Sequence, residues 1–276
     1  MPTREEISQI ALELFTESLR PQALSPENAW LGIYQVLLWP EPIHQGDYSF
    51  LLHVTDSNRL RLSTHALKTK KGSTVNIWQK RAVAIQNYLA EHLKVSPEQV
   101  IAKVDRLLKH SDFEGQQRQN PLGFAFAGLM RHLMSRFADQ ELAFQTEVDA
   151  NSIFPGITMP GRSETPSIDI LTSKNSIPKA IISAKWSLRH DRINDITNEC
   201  PIYKAAAQRS RNPLKFYVVT NEFDPARLTK ILKDTCIDAL IHVRKEAVIK
   251  VCELNGRLEK MVDLSDFLSD LSRWIA

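Results

Sequence analysis

Long apolar runs are missing from this sequence. No stretch approaches the roughly 18 uninterrupted hydrophobic residues that a membrane-spanning helix needs, and none is expected. The opening Met1-Pro2-Thr3-Arg4-Glu5-Glu6 leads into an amphipathic pattern without a secretory signal's apolar core, so the protein is expected to be cytoplasmic. Cysteine is scarce: Cys200, Cys236 and Cys252 are the only three in 276 residues, and none falls in a CxxC spacing. They read as reduced intracellular thiols, with neither a disulfide frame nor a zinc clip. The eight histidines form no HxxxH or HExxH pair, which turns the reading away from zinc hydrolases. Glycine-rich phosphate loops and GxSxG elbows are absent as well, which argues against kinases, nucleotide-driven ATPases and α/β-hydrolases. Internal repeats and low-complexity segments are also missing.

What is present is ordinary in bulk. A chain that is 43% hydrophobic and 24% charged can bury a core without staples. The formal net charge of +3 is too small to announce a nucleic-acid partner by itself. Its distribution is more informative. From Lys179 to Lys215 eight basic residues face three acidic ones, so this segment carries more positive charge than the whole chain.

Two halves differ in character. Residues 1–112 read as a mainly helical subdomain suited to DNA contacts or dimerisation. Ile7, Ile10, Ala11, Leu14 and Phe15 have helical spacing, and Ser25-Pro26 and Ser96-Pro97 each place a capping serine before a proline at the first helical position. Gln99 completes a capping box after Ser96. A further helix is expected over 78–93, and a short hairpin over 48–63. Residues 113–276 start with an apolar helix over 121–139, whose small residues Gly123, Ala125, Ala127 and Gly128 suit close packing against a sheet. Strands follow over 144–148, 167–172 and 178–186, then a helix over 191–209 interrupted by Pro201, a strand over 216–220 and a helix over 225–233. Strands are also expected over 237–243 and 247–253, and a closing helix over 264–274. This order predicts an α/β fold with a mixed β-sheet flanked by helices, distinct from a doubly wound one.

Two charges stand where strand propensity would not place them. Asp169 lies in Ile168-Asp169-Ile170, and Lys185 ends the apolar run Ile181-Ile182-Ser183-Ala184. A charge at such a place is costly unless it is paired or binds a metal. The two strands are joined by a tight turn, so both side chains can enter one crevice, and Asp191, Asp195 and Glu199 form an acidic stripe on the next helix. Carboxylates, a lysine and a divalent cation are what phosphodiester hydrolysis requires. A salt bridge or a capped strand edge is the structural alternative for the same pair.

The segment Asp169 … Ser183-Ala184-Lys185 resembles the PD-(D/E)XK nuclease signature, with Ile168 in place of its proline and Ser183 in place of its second acid. The second departure is similar to that of type II restriction endonucleases that cut sites containing CCGG. In them a serine precedes the lysine and a glutamate on the following helix supplies the missing carboxylate. Glu199, fourteen residues after Lys185, stands at that position, and Arg189-His190-Asp191-Arg192 matches the Arg-x-Asp-Arg element with which the family reads its CCGG core. The specific likeness covers about residues 120–220.

The resemblance implies a restriction-endonuclease-like fold and Mg²⁺-dependent cleavage of double-stranded DNA before the first C of a CCGG site with an A·T outer pair. It implies Asp169 and Glu199 as metal ligands, Lys185 on the nucleophile and scissile phosphate, and Ser183 close to the metal. A further acid from upstream is also implied, with Glu114 preferred and Glu147 the competitor. Arginine donates two hydrogen bonds to guanine O6 and N7 and aspartate accepts from cytosine N4, so Arg189, Asp191 and Arg192 suit base readout. Asp191 as a plain helix cap is the alternative. The implied assembly is a homodimer on DNA, or a tetramer of two dimers, with a cognate methyltransferase protecting host DNA. Trp186 is read as packing or stacking on a base, and Lys68, Lys70 and Lys71 as touching phosphates or a solvated loop. A structure-specific nuclease and an inactive DNA-binding module are the competing functions.

Overall fold

The computed structural model describes residues 2–20, 22–38, 40–42, 49–51, 73–113, 119–159, 166–252, 254 and 258–275. Helix α1 (Arg4–Ser18) begins with a complete capping box between Thr3 and Glu6 and buries Ile7, Ala11 and Phe15. Helix α2 (Ala29–Leu37) is apolar nearly all round and almost wholly buried, as such a pattern requires. It starts three residues later than the proline position expected after Ser25. The Asn28 side chain accepts from the Ser25 N–H and donates to the Ala23 carbonyl, which holds 26–28 as a turn. Strands β1 (Pro40–Pro42) and β2 (Ser49–Leu51) pair antiparallel. The expected hairpin over 48–63 shares only β2 with this ribbon, and residues 52–63 lie outside the described ones. Helices α3 (Ser73–Leu93) and α4 (Pro97–Lys103, with the Ser96/Gln99 capping box) complete the helical half.

Helix α5 (Gln119–Phe137) leads into β3 (Leu142–Asp149), the short α6 (Ala150–Ile153), β4 (Ser167–Lys174) and β5 (Ile177–Lys185). Then come α7 (His190–Arg209), β6 (Lys215–Thr220), α8 (Pro225–Leu232), β7 (Ala239–His242), α9 (Lys245–Cys252) and β8 (Met261–Asp263), closed by α10 (Leu264–Ser269) and α11 (Leu271–Ile275). Six strands form one sheet in the order β3-β4-β5-β6-β7-β8. The first three are antiparallel and β5 through β8 run parallel. The result is the expected α/β class: a mixed sheet flanked by helices, with helices crossing over between its parallel strands.

Three expectations are corrected. Residues 247–252 form helix, not strand (residue 253 lies outside the described ones). Ala247, Val248, Val251 and Cys252 are its buried residues, a spacing of four that marks one helical face. The sheet takes its last strand instead from Met261–Asp263, too short to announce itself by alternation. Gly128 serves a helix contact, not a sheet contact: a Cβ there would fall 2.6 Å from Ser8 Oγ of α1. Cys200 and Cys236, read as reduced thiols, are joined in a disulfide with Cα atoms 6.1 Å apart. Spacing arguments detect only cysteines close in sequence, and these meet because α7 packs beside the loop that enters β7. Cys252 stays free and buried; its thiol donates to the Phe223 carbonyl, and burial pushes its pKa up to about 12.

Among the described residues one hydrophobic core cluster includes both Ile7 of α1 and Ile275 of α11. Within it the Tyr34 hydroxyl of α2 donates to Asn221 Oδ1, just past β6, at 2.6 Å. Both groups are fully buried, so the helical half is tied to the sheet by a hydrogen bond that water cannot replace. Among the described residues no helix is long and apolar enough to cross a membrane.

Tyr34→Phe removes that donor and leaves the shape of the core intact. It should lower stability by about 1–3 kcal/mol, read as a shift of the urea midpoint at unchanged slope. A midpoint equal to wild type would show that the two halves do not depend on this bond.

Candidate functional site

β4 and β5 are joined through Asn175 and Ser176, both in the left-handed region (φ 52° and 63°), the conformation of a two-residue hairpin turn. A bulge between Thr172 and Ser173 shifts the register that the turn starts. Ile170 pairs with Ile182, so the next positions outward, Asp169 and Ser183, stand opposite each other. Lys185 is two residues beyond Ser183 and therefore on the same face.

The geometry centres on one carboxylate. Lys185 Nζ donates to both oxygens of Asp169, at 2.8 and 2.6 Å. The Ala184 N–H adds a bond to Oδ2 at 2.9 Å, and the Ser183 hydroxyl one at 3.3 Å. With side chains only 17% and 23% exposed, Asp169 and Lys185 form a largely desolvated ion pair. This is the arrangement in which charge-assisted hydrogen bonds are strongest and a lost partner most costly.

Around this pair lies a cleft of about 400 Å³. Its floor includes Asp169, Ser183 and Lys185. The cleft is also lined by a stripe of α7, with Arg192, Asp195, Ile196, Glu199 and Tyr203 at helical spacing, and by the start of α5. Arg189, the N-cap residue of α7, stands at the rim. Four residues named from the sequence as catalytic, Asp169, Ser183, Lys185 and Glu199, thus share one cavity with Arg189 and Arg192. Arg192 lies 3.8 Å from Asp195.

Asp191 is placed differently. It does not line the cleft, and its exposed carboxylate accepts from the Arg189 guanidinium at 2.7 Å. Partial burial works against its charge, but Arg189 and the adjoining backbone N–H groups outweigh that and lower its pKa. Trp186 is buried, edge-on to Phe126 at 5.2 Å between ring centres, and packs as the more ordinary reading held. Glu114, Lys68, Lys70 and Lys71 lie outside the described residues, and so does the side chain of His190.

Glu147, the competitor for the upstream acid, lines the cleft. Its neighbours Thr146 and Val148 pair with Ile170 and Ile168, so Glu147 stands across from Asp169 on the adjacent strand. It adopts a left-handed φ of 55°, a strained conformation for a glutamate within a strand. Its carboxylate forms an ion pair with Arg4 and accepts from the Ser167 hydroxyl at 3.3 Å. Arg4, the first residue of α1, also lies over the Phe124 ring, 4.6 Å from its centre. Nothing local in the sequence marks Arg4 as part of the site, because its place follows from how α1 packs on α5.

The donor set suits a hard divalent cation. Asp169 and Glu199 offer oxygen ligands in one cleft, and Mg²⁺ needs only one or two carboxylates because it keeps most of its waters. Among the described residues no three Asp, Glu, His or Cys side chains converge as a ready-made metal cluster.

Sequence reasoning also missed Glu222. It lies just past the apolar strand β6, as Lys185 lies at the end of apolar β5, and that likeness was the available signal. Its side chain is fully buried, and its carboxylate accepts from the N–H groups of Leu188 (2.7 Å), Phe223 (3.0 Å) and Asp224 (2.9 Å), with Arg227 at 3.3 Å. Burial raises its pKa to about 7 against the pull of Arg227.

No protein-family model and no curated protein matches the chain. Among solved structures the chain is similar to metal-depleted Ecl18kI in complex with uncleaved DNA, at 13% identity and a TM-score of 0.35, over 99% of this chain and 85% of that one.

His242 in β7 neighbours Glu222 and responds oppositely to acid. Its Nε2 donates to the Glu222 carbonyl at 2.9 Å and its Nδ1 accepts from the Arg244 N–H at 3.0 Å, a pattern only the neutral ring completes. Burial lowers its pKa to about 4 from the ordinary 6.5, so the unfolded chain binds the proton first and stability falls as pH drops from 6.5 toward 4. Glu222, raised from 4.5 to about 7, keeps its proton longer when folded and makes stability fall as pH rises across that window. His242→Gln removes the first effect alone. Its stability deficit against wild type should therefore shrink by about 2 kcal/mol between pH 7 and pH 5, measured as urea midpoints. A constant deficit would contradict a buried neutral imidazole.

Proposed function

We propose that this chain is a Mg²⁺-dependent, site-specific endonuclease that hydrolyses both strands of a palindromic DNA site with a CCGG core. The observation that carries the reading is the single cleft in which Asp169, Ser183, Lys185 and Glu199 meet beneath Arg189 and Arg192. Asp169 and Glu199 would hold the cation. Bound there, Mg²⁺ supplies neutralisation of the phosphate and a more acidic water. Lys185 donates a hydrogen bond to the attacking water or to a phosphate oxygen, stabilising the charge that builds up in the transition state. A P–O bond forms to the water oxygen, the bond to the 3′ oxygen breaks, and a 5′-phosphate and a 3′-hydroxyl remain.

Base readout falls to the segment that follows β5. Arg189 and Arg192 present planar donor pairs suited to guanine, and Asp191 an acceptor suited to the cytosine amino group. A two-fold dimer would present this segment to both halves of the palindrome, and a methyltransferase of matching specificity would protect host DNA. The position of Asp191 outside the cleft, bound to Arg189, favours one competing reading: a nuclease on the same scaffold that reads DNA structure instead of bases.

Incubating the protein with Mg²⁺ and a plasmid of known sequence, then mapping the ends, decides between the two. The expected ends lie before the first C of CCGG and carry 5′ overhangs. Ends scattered without regard to sequence would favour the competitor, and no Mg²⁺-dependent cleavage at all would sink both. Lys185→Ala should bind a CCGG duplex yet cut it at least about 100-fold more slowly, the scale of removing one transition-state donor. Cleavage at the wild-type rate would refute the role given to Lys185.

A further inference from the structure

The Lys185–Arg189 connection is three residues long and sits between the proposed chemistry and the proposed base readout. It belongs to no helix or strand, so its shape must come from elsewhere. Two bonds supply it, both from the corner that follows β6. The Asn221 N–H donates to the Trp186 carbonyl at 3.2 Å, and the Leu188 N–H donates to Glu222 at 2.7 Å. Leu188 immediately precedes Arg189.

The corner is itself fixed from several sides. Tyr34 of α2 bonds the Asn221 side chain, His242 of β7 bonds the Glu222 carbonyl, and Arg227 of α8 stands against the Glu222 carboxylate. A fully buried carboxylate is expensive to desolvate, and it persists only where its partners need it. An apolar side chain at this position would leave the N–H groups of Leu188, Phe223 and Asp224 without their acceptor, in a place that water does not reach.

We propose that Glu222 is a positioning residue for base readout: by clamping the Leu188 N–H it sets Arg189 and Arg192 in a fixed relation to Asp169 and Lys185. The proposal rests on the endonuclease reading for what the arginines recognise, while the clamp itself stands on the geometry alone. Glu222 touches no DNA and no reacting atom. It acts through the backbone, and a shift of 1 Å at Leu188 would carry the guanidinium groups out of register with the base edges while the sheet still holds Asp169 and Lys185.

Glu222→Gln keeps the shape but turns one acceptor oxygen into a donor facing backbone N–H groups. The readout is the ratio of cleavage rates on a CCGG duplex and on one with a single base pair of the core replaced. A smaller folded fraction lowers both rates equally and leaves this ratio alone, so the ratio separates positioning from stability. It should fall at least about tenfold, the worth of one bidentate base contact, while Glu222→Asp, which keeps the charge, recovers part of the loss. In the unmodified protein the Leu188 amide should exchange with deuterium as slowly as the amides of β5, and in the Gln variant far faster. A ratio unchanged by Gln in a discriminating wild type overturns the proposal and spares the endonuclease reading. A wild type that cuts both duplexes equally overturns the CCGG reading and the readout role together. Fast exchange at Leu188 in the wild type removes the clamp whatever the DNA results, and it remains readable if the Gln variant does not fold.

Discussion

An ion pair between Asp169 and Lys185 is held at 2.6 Å on two strands whose inner residues are otherwise closed to water. Taking both charges out of solvent is costly, and their attraction offsets that cost only with good geometry and with the remaining lone pairs satisfied. The fold meets both conditions locally. The bulge between Thr172 and Ser173 sets the register that puts Asp169 opposite Ser183, and the parallel partner β6 holds β5 straight through Lys185. Without that register the carboxylate would face a neighbouring apolar side chain, and the cleft would have a hydrophobic floor.

The same economy recurs along the carboxyl ends of the parallel strands. Lys185 pairs in register with Thr220, Thr220 with His242, and His242 with Asp263. Just past these positions stand Asn221 and Glu222, so the strand ends carry a continuous row of polar groups, most of them buried. Several of them bond the backbone of a connection: Glu222 the entry to α7 and the start of α8, His242 the N–H of Arg244, and Asp263 the N–H groups of Lys245 and Ser265. Parallel strands end on one side of a sheet, and the crevice there is where open α/β sheets bind ligands. In this chain part of that polar row is spent on shaping connections and part on the cleft.

This division explains what was legible in the sequence. Asp169 and Lys185 could be found because a charge inside an apolar strand is anomalous whatever surrounds it. Glu199 and Arg192 follow once α7 is known to be helical, since residues 192, 195, 196, 199 and 203 fall on one face. The class of the fold and the strands from β3 to β7 were legible for the same reason, because periodicity is a local property. Arg4, the Cys200–Cys236 bridge and the contact of Gly128 with Ser8 were not, because each depends on how two distant elements pack. The helix over 245–252 was misread because its apolar residues are dense enough to look like a strand when the period is not counted. Glu222 lies between the two cases: its position after an apolar strand was visible, but its partner Leu188 was not.

The bonding of Asp169 also constrains how the cleft can work. A carboxylate has about four lone-pair sites, and here Lys185 takes two while Ala184 and Ser183 take one each. Three of these bonds fall on Oδ2 and one on Oδ1, so Oδ1 keeps a lone pair for a further ligand while Oδ2 is crowded. The Ala184 N–H belongs to the backbone of β5 and cannot leave without breaking the strand. The Ser183 hydroxyl is at 3.3 Å and gives up the weakest of the four bonds. Lys185 is the one strong donor on a flexible stem, and with two bonds to the same group it can release one and keep the other. A cation and a lysine sharing one carboxylate is thus not a competition that one must lose. In the proposed reaction the carboxylate would accept the cation while Lys185, released from one oxygen, would donate to a phosphate.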